Sequence, residues 1–221
     1  MITCLAALIF LSCQGSRYQW FDGTLEEARA AAGSKLILLD FYTYTWPSCF
    51  RLDVETLSDT VVQAFSEENF ISLKYNVNED IGSKYFKEYK GQFVPTLLFI
   101  DSKGNEVDRI IGFMPPTEYL LRIEDISKNR NTLSDYLTHY ETGNAGADII
   151  AGIAMKYEDR KENEKAAEFY SILIKDFPDN TSEYFKQGKF FLASQEFING
   201  NEHSLKNYIV DNPDSPFHFD A

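Results

Sequence analysis

Cys49 stands at the head of a candidate helix, directly behind a candidate buried strand, and its chemistry would be that of a thiol. Residues 36–39, Leu-Ile-Leu-Leu, form a continuous apolar run too short for a helix, which reads as a strand covered on both faces. Pro47 suits a first helical turn and Ser48 is a frequent cap. Cys49 then falls where free backbone N–H groups and the helix dipole favour a thiolate, so a lowered pKa is expected. Other chemistries lack their residues. His139, His203 and His218 are scattered, and the chain has no CxxC, no phosphate or dinucleotide loop and no GxSxG. Neither a zinc site nor another cofactor is expected.

Composition narrows the partners. With 34 acidic and 21 basic residues the formal charge is −13, which argues against nucleic acid or an anionic membrane as a ligand of the protein body. Over 221 residues, 44% apolar and 15% aromatic content suffices for packed cores in one large or two small domains.

The elements that would position Cys49 follow in order. Thr24 and Glu27 form a capping box for a helix to about Ala32, and Gly33-Ser34 stop it before the strand. After Cys49, Leu52, Val54 and Leu57 give an apolar stripe, and Ser58-Asp59 with Val61, Val62 and Phe65 start a second helical piece reaching Glu68. Phe70 to Val77 alternates as a strand. Asp80 to Tyr89 reads as a helix with Ile81, Tyr85, Phe86 and Tyr89 on one face. A strand beginning beside Pro95, a turn at 101–105, a returning strand from Val107 to Gly112 and a helix from Thr117 to Ile126 complete the unit.

From about 19 to 127 the chain resembles the thioredoxin superfamily, most closely the secreted bacterial members whose active site reads roughly DFYTxWCxxCK. Asp40, the 44–49 loop and Phe93-Val94-Pro95-Thr96 carry the resemblance. It implies an α/β thioredoxin-like fold, a central mixed sheet flanked by helices, with Pro95 cis and facing the active-site loop. It also implies that Asp40 accepts a proton from a cysteine above it. In the family this Asp lies six residues before the attacking cysteine and nine before the resolving one. Counting from Asp40 gives Trp46 and Cys49. The resolving cysteine is kept and a tryptophan stands at the attacking position; in a second register Trp46 is the family's own tryptophan and the attacking cysteine is deleted. Asp40 and Cys49 are therefore candidates for a residual thiol site, and Trp46, Val94 and Pro95 for a binding face.

The N-terminus carries a short apolar run ending in Leu11-Ser12-Cys13, which resembles a bacterial lipoprotein signal. The run is about half the length a membrane-spanning helix needs. Residues 1–13 are expected to be signal, with Cys13 lipidated, and 14–18 a tether. The expected location is the periplasmic side of a bacterial cell envelope, with membrane contact only through the lipid. If Cys4 leaves with the signal and Cys13 carries lipid, Cys49 is the last thiol and no internal disulfide is possible.

Residues 128–221 read as all-helical and resemble tetratricopeptide repeats. Ile150, Ile153, Ala154, Tyr157, Ala166, Tyr170 and Pro178 fit a first copy, and Tyr184, Gly188, Phe191 and Pro213 a second. The second has Gly200 where its later helix needs Ala. Phe169, Tyr170, Tyr184, Phe185, Phe190 and Phe191 are expected in its core, and Glu158-Asp159 and Glu162 on a solvated face. Two repeats bury too little surface to stand alone, so the tail is expected to dock on the first domain or another chain. The expected function is protein binding by a thiol-redox family member degenerate in dithiol catalysis. The alternatives are a one-cysteine oxidoreductase acting on thiol-containing substrates through Cys49, and an interaction module working through the tail.

Overall fold

The computed structural model describes residues 18–178, 181–213 and 217. Leu36–Tyr42 forms the central strand, β1. β2 (Phe70–Asn76) pairs with it in parallel and β3 (Thr96–Ile100) antiparallel, with β4 (Glu106–Ile111) antiparallel outside β3, giving the order β2-β1-β3-β4. Around the sheet run α1 (Leu25–Ala31), α2 (Pro47–Arg51), α3 (Thr60–Asn69), α4 (Asp80–Glu88) and α5 (Pro116–Ser127).

The apolar run of β1 is buried on both faces because its side chains alternate between two cores. Ile37, Leu39 and Phe41 pack with Leu25, Ala28 and Tyr85 from α1 and α4. Leu38 turns the other way, against Leu52, Leu57, Val62 and the α5 residues Tyr119, Ile123 and Ile126. β3 splits alike, Leu97 and Phe99 to one core, Leu98 and Ile100 to the other. Each fully buried aliphatic side chain stabilises this arrangement by about 1.5–3 kcal/mol.

Local chemistry sets the ends. Thr24 and Glu27 make the expected reciprocal cap on α1, and the Asp59 carboxylate accepts the Val61 and Val62 N–H groups at the start of α3. Ser48 is not a cap; Trp46 holds that position without a side-chain bond, and Pro47 is the first helical residue. Leu52–Thr56 is π-helical, with the Leu57 N–H reaching the Leu52 carbonyl at 2.8 Å. That wider turn breaks the 3.6-residue period, so Val54, expected on the apolar stripe, is exposed, as are Val61 and Ile81 on their helices. β4 ends one residue earlier than expected, at Ile111, because the φ of +84° at Gly112 bends the chain there while the Gly112 N–H bonds the Pro95 carbonyl.

The C-terminal region is helical: α6 (Leu133–Glu141), α7 (Ala147–Asp159), α8 (Asn163–Asp176), α9 (Glu183–Ile198) and α10 (Ser204–Asp211). Ile150, Ile153, Ala154, Ala166 and Tyr170 sit in one buried cluster with Phe185 and Phe191. Gly188 lets α9 approach α8 closely, since a Cβ there would lie 2.7 Å from the Tyr170 ring. Tyr184, expected in this core, is exposed at the first turn of α9. Gly200, with φ of +99°, lies beyond the end of α9 instead of inside a helix.

The tail docks on the first domain through charge. Asp108 of β4, fully buried, meets Lys156 at 2.7 Å, Arg160 at 2.9 Å and also Arg122. Glu106 takes Arg160 at 2.8 Å and Arg109 at 2.5 Å. Arg160 and Lys156 come from the end of α7, so this cluster joins the edge strand to the tail. Nor is the acidic run simply a solvated face: Glu158 accepts the Tyr170 hydroxyl at 2.6 Å and the Gln187 amide at 3.0 Å, and Glu162 holds Lys165.

Candidate functional site

Strand register brings the sequence candidates to one end of the sheet. Phe41 pairs with Thr96, and Thr96 with Ile111. The loop after β1, the residues before β3 and those after β4 therefore emerge together. Trp46 caps α2 and is 55% exposed, whereas Cys49, three residues on, is 3% exposed. The Val94–Pro95 bond is cis; Val94 is half-buried and Pro95 buried. Exposed Tyr44, Phe50 and Phe93 flank these residues in sequence. The Arg51 guanidinium lies 3.8 Å from the centre of the Phe113 ring, tying α2 to the loop after β4.

Asp40 sits on the Leu38 side of β1, 1% exposed, and no hydrogen bond reaches either carboxylate oxygen. Lys74, its register partner on β2, lies 3.2 Å from Oδ2, within ion-pair range but not aligned for a hydrogen bond. Burial pushes the Asp40 carboxyl up to about 6 against the opposing pull of Lys74. Lys74 also binds Asp53 and lies 4.6 Å from the Tyr42 ring centre and 5.0 Å from that of Trp20. For Lys74 itself burial favours the neutral amine, but Asp40 and Asp53 outweigh it and the pKa rises. Deeper still, burial lifts the Tyr119 hydroxyl well above its ordinary value.

This environment reverses the expectation for Cys49. Burial pushes its thiol up, and Asp40 and Asp53 add repulsion that the Thr43 N–H and Lys74 do not offset. The helix start is too short and too covered to win: a sulfur removed from water loses more as an anion than one turn of backbone returns. At neutral pH Cys49 is a protonated, shielded thiol. Among the described residues it is the only free cysteine; Cys13, the expected lipidation site, lies outside them.

Sequence reasoning missed Lys74 and Asp53. Lys74 had a signal, being the one charge in the strand FISLKYN, and Asp53 lies one helical turn after Cys49. The Asp108 cluster gave no signal, because its partners are up to 52 residues apart.

Residues 21–127 match the family model of the thioredoxin-like domain, and with the fold above this makes that part of the chain a thioredoxin-like domain. The thiol:disulfide interchange protein DsbD of Yersinia enterocolitica is 28% identical over 107 residues, 47% of this chain and 18% of that protein. DsbD of Photorhabdus laumondii is 29% identical over 108 residues, 47% of this chain and 19% of its own length. The chain thus spans under a fifth of the curated relatives it matches. The C-terminal domain of Neisseria meningitidis DsbD in its oxidised form aligns with a TM-score of 0.40 at 27% identity, over 48% of this chain and 90% of that one. A thioredoxin from Thermus thermophilus gives 0.43 at 24%, over 51% and 87%.

Proposed function

We propose that the chain is an envelope protein of the thiol-redox family that has lost dithiol catalysis and uses the sheet end around Trp46, Val94 and Pro95 to bind a protein partner. One observation carries this: the position six residues after Asp40 holds an exposed indole, and the sulfur one turn further on is buried. An indole cannot attack a disulfide, but it offers an apolar face and one N–H donor. Disulfide exchange needs an accessible thiolate, and burial denies Cys49 that form. The unmodified chain should therefore show background-level insulin reduction with dithiothreitol. Activity that disappears with Cys49→Ser would overturn this reading and establish the one-cysteine oxidoreductase.

We place the domains at 19–127 and 128–221, with residues 1–13 a signal, 14–18 a tether and Cys13 the lipidated residue. Among the described residues no helix is long and apolar enough to cross a membrane; in this reading the anchor is the lipid on Cys13. Cys13→Ala should move the protein from the membrane to the soluble fraction. A variant that stays with membranes after a salt wash contradicts the anchor.

A further inference from the structure

Around Asp40 lies a set of buried polar groups that the binding reading leaves unused. The Tyr18 hydroxyl is its hub: it lies 3.0 Å from Ser72 Oγ in a hydrogen bond, and Ser66 and Asp40 also act on it. The Tyr119 hydroxyl, fully buried on α5, feels both Tyr18 and Asp40. Three members of the set, Asp40, Ser66 and Tyr119, make no side-chain hydrogen bond to any protein group. A buried hydroxyl or carboxyl left unsatisfied is costly, and three together call for bonded water. A cavity of about 440 Å3 leads to them from solvent, walled in part by Tyr18, Trp20, Asp53, Ser58, Gln63 and Lys74. Two of these residues belong to both places. Lys74 lies 3.2 Å from Asp40 Oδ2, and Tyr18 turns its hydroxyl into the buried set. The cavity is roomy enough for several waters, and its inner end offers each of them the two or more polar partners a buried water needs. Cys49 is not in its wall.

We propose that this cavity is the water site of Asp40: water enters between Trp20 and the start of α3, bonds the Tyr18, Tyr119 and Ser66 hydroxyls, and carries the Asp40 proton to solvent by a route that avoids Cys49 and the sheet end. When Asp40 ionises, its O–H bond breaks, the proton passes to the adjoining water, and that water releases one to the cavity. The carboxylate left behind stays beside Lys74. The other groups that face Asp40 are Asp53, the Cys49 thiol and the hydroxyls of Tyr18, Tyr42 and Tyr119, so Lys74 is the one cation there among the described residues. Water suits the inner end better than an ion does, because Lys74 is already matched by Asp40 on one side and Asp53 on the other. The site does not depend on which partner the sheet end binds.

The test uses the full chain with isotopically labelled aspartate carboxyls, titrated by NMR, with Asp40→Asn identifying the Asp40 signal. Tyr119→Phe removes one buried hydroxyl and keeps the ring. If that hydroxyl is bonded through water to the carboxylate, its loss should raise the Asp40 midpoint by at least about 0.5 pH and lower the urea midpoint of the chain. Ser58→Trp changes an exposed residue of the cavity wall and leaves the buried set intact. By displacing water it should raise the Asp40 midpoint as well. A higher urea midpoint for Tyr119→Phe would show that the hydroxyl had no partner to lose, and would overturn the water site. Should Tyr119→Phe not fold, Ser66→Ala replaces it with the same expected directions, and an Asp40 midpoint unmoved by whichever hydroxyl variant folds would also overturn the site. A Ser58→Trp chain in which Asp40 titrates as in the parent would overturn the route past Trp20 and α3.

Discussion

Trp46→Cys should convert an inactive loop into a working one, raising insulin reduction at least about tenfold over the unmodified chain. The backbone is already arranged for it. Position 46 caps α2, and the Cys49 N–H donates to the Trp46 carbonyl at 3.0 Å, so the two side chains would sit at opposite ends of a single turn. A thiol at position 46 would be far more exposed than Cys49 and would meet the first free N–H groups of the helix, which favour its thiolate. After its attack, the buried Cys49 would release the product. Asp40, held up to about 6 by burial and acting electrostatically on Cys49, would take the Cys49 proton. Failure to form a disulfide between position 46 and Cys49 under oxidising conditions would show that the register is wrong, and that Trp46 is the family's own tryptophan beside a deletion.

Asp108→Asn should be the most damaging single substitution between the two regions, costing about 3–5 kcal/mol in urea unfolding at pH 7. The carboxylate is fully buried and shared by Arg122, Lys156 and Arg160. An amide of the same size keeps the shape and leaves three cations without their common partner. Burial alone would raise the Asp108 pKa, but Lys156, Arg122 and Arg160 overcome it and hold the carboxyl below its ordinary value. A carboxyl lowered on folding contributes stability that is present above its unfolded pKa of about 4 and is lost as pH falls through the folded value. The parent should therefore lose stability below about pH 4, and the variant should lack that part of the acid dependence. A cost under about 1 kcal/mol at pH 7 would mean that the cluster is not what joins tail to domain.

The first domain was legible because its signals are local. The apolar run 36–39, the Thr24–Glu27 box and the helix start at Pro47 each depend on residues a few positions apart, and each recurs in the structure. Pairings across the fold were not legible. Lys74 meets Asp40 only because β2 lies beside β1, and Arg160 meets Asp108 only because α7 lies against β4. The same limit explains the reversal at Cys49. Sequence places it in a first helical turn, where the dipole argument applies, but shows neither its burial nor the charges of Asp40 and Asp53 acting on it, which together raise its pKa. The exposure of Val54 likewise follows from a π turn that no period-3.6 reading contains.

The most direct test of the binding, non-catalytic role is the alkylation rate of Cys49 by iodoacetamide at pH 8, measured in a chain carrying Cys4→Ser and Cys13→Ser. A buried thiol with a raised pKa should react roughly two orders of magnitude more slowly in the native chain than in urea, because labelling waits for local opening. Labelling in the native chain as fast as in urea, or an apparent pKa below that of a free cysteine, would contradict the role assigned to this sheet end and make Cys49 a working nucleophile.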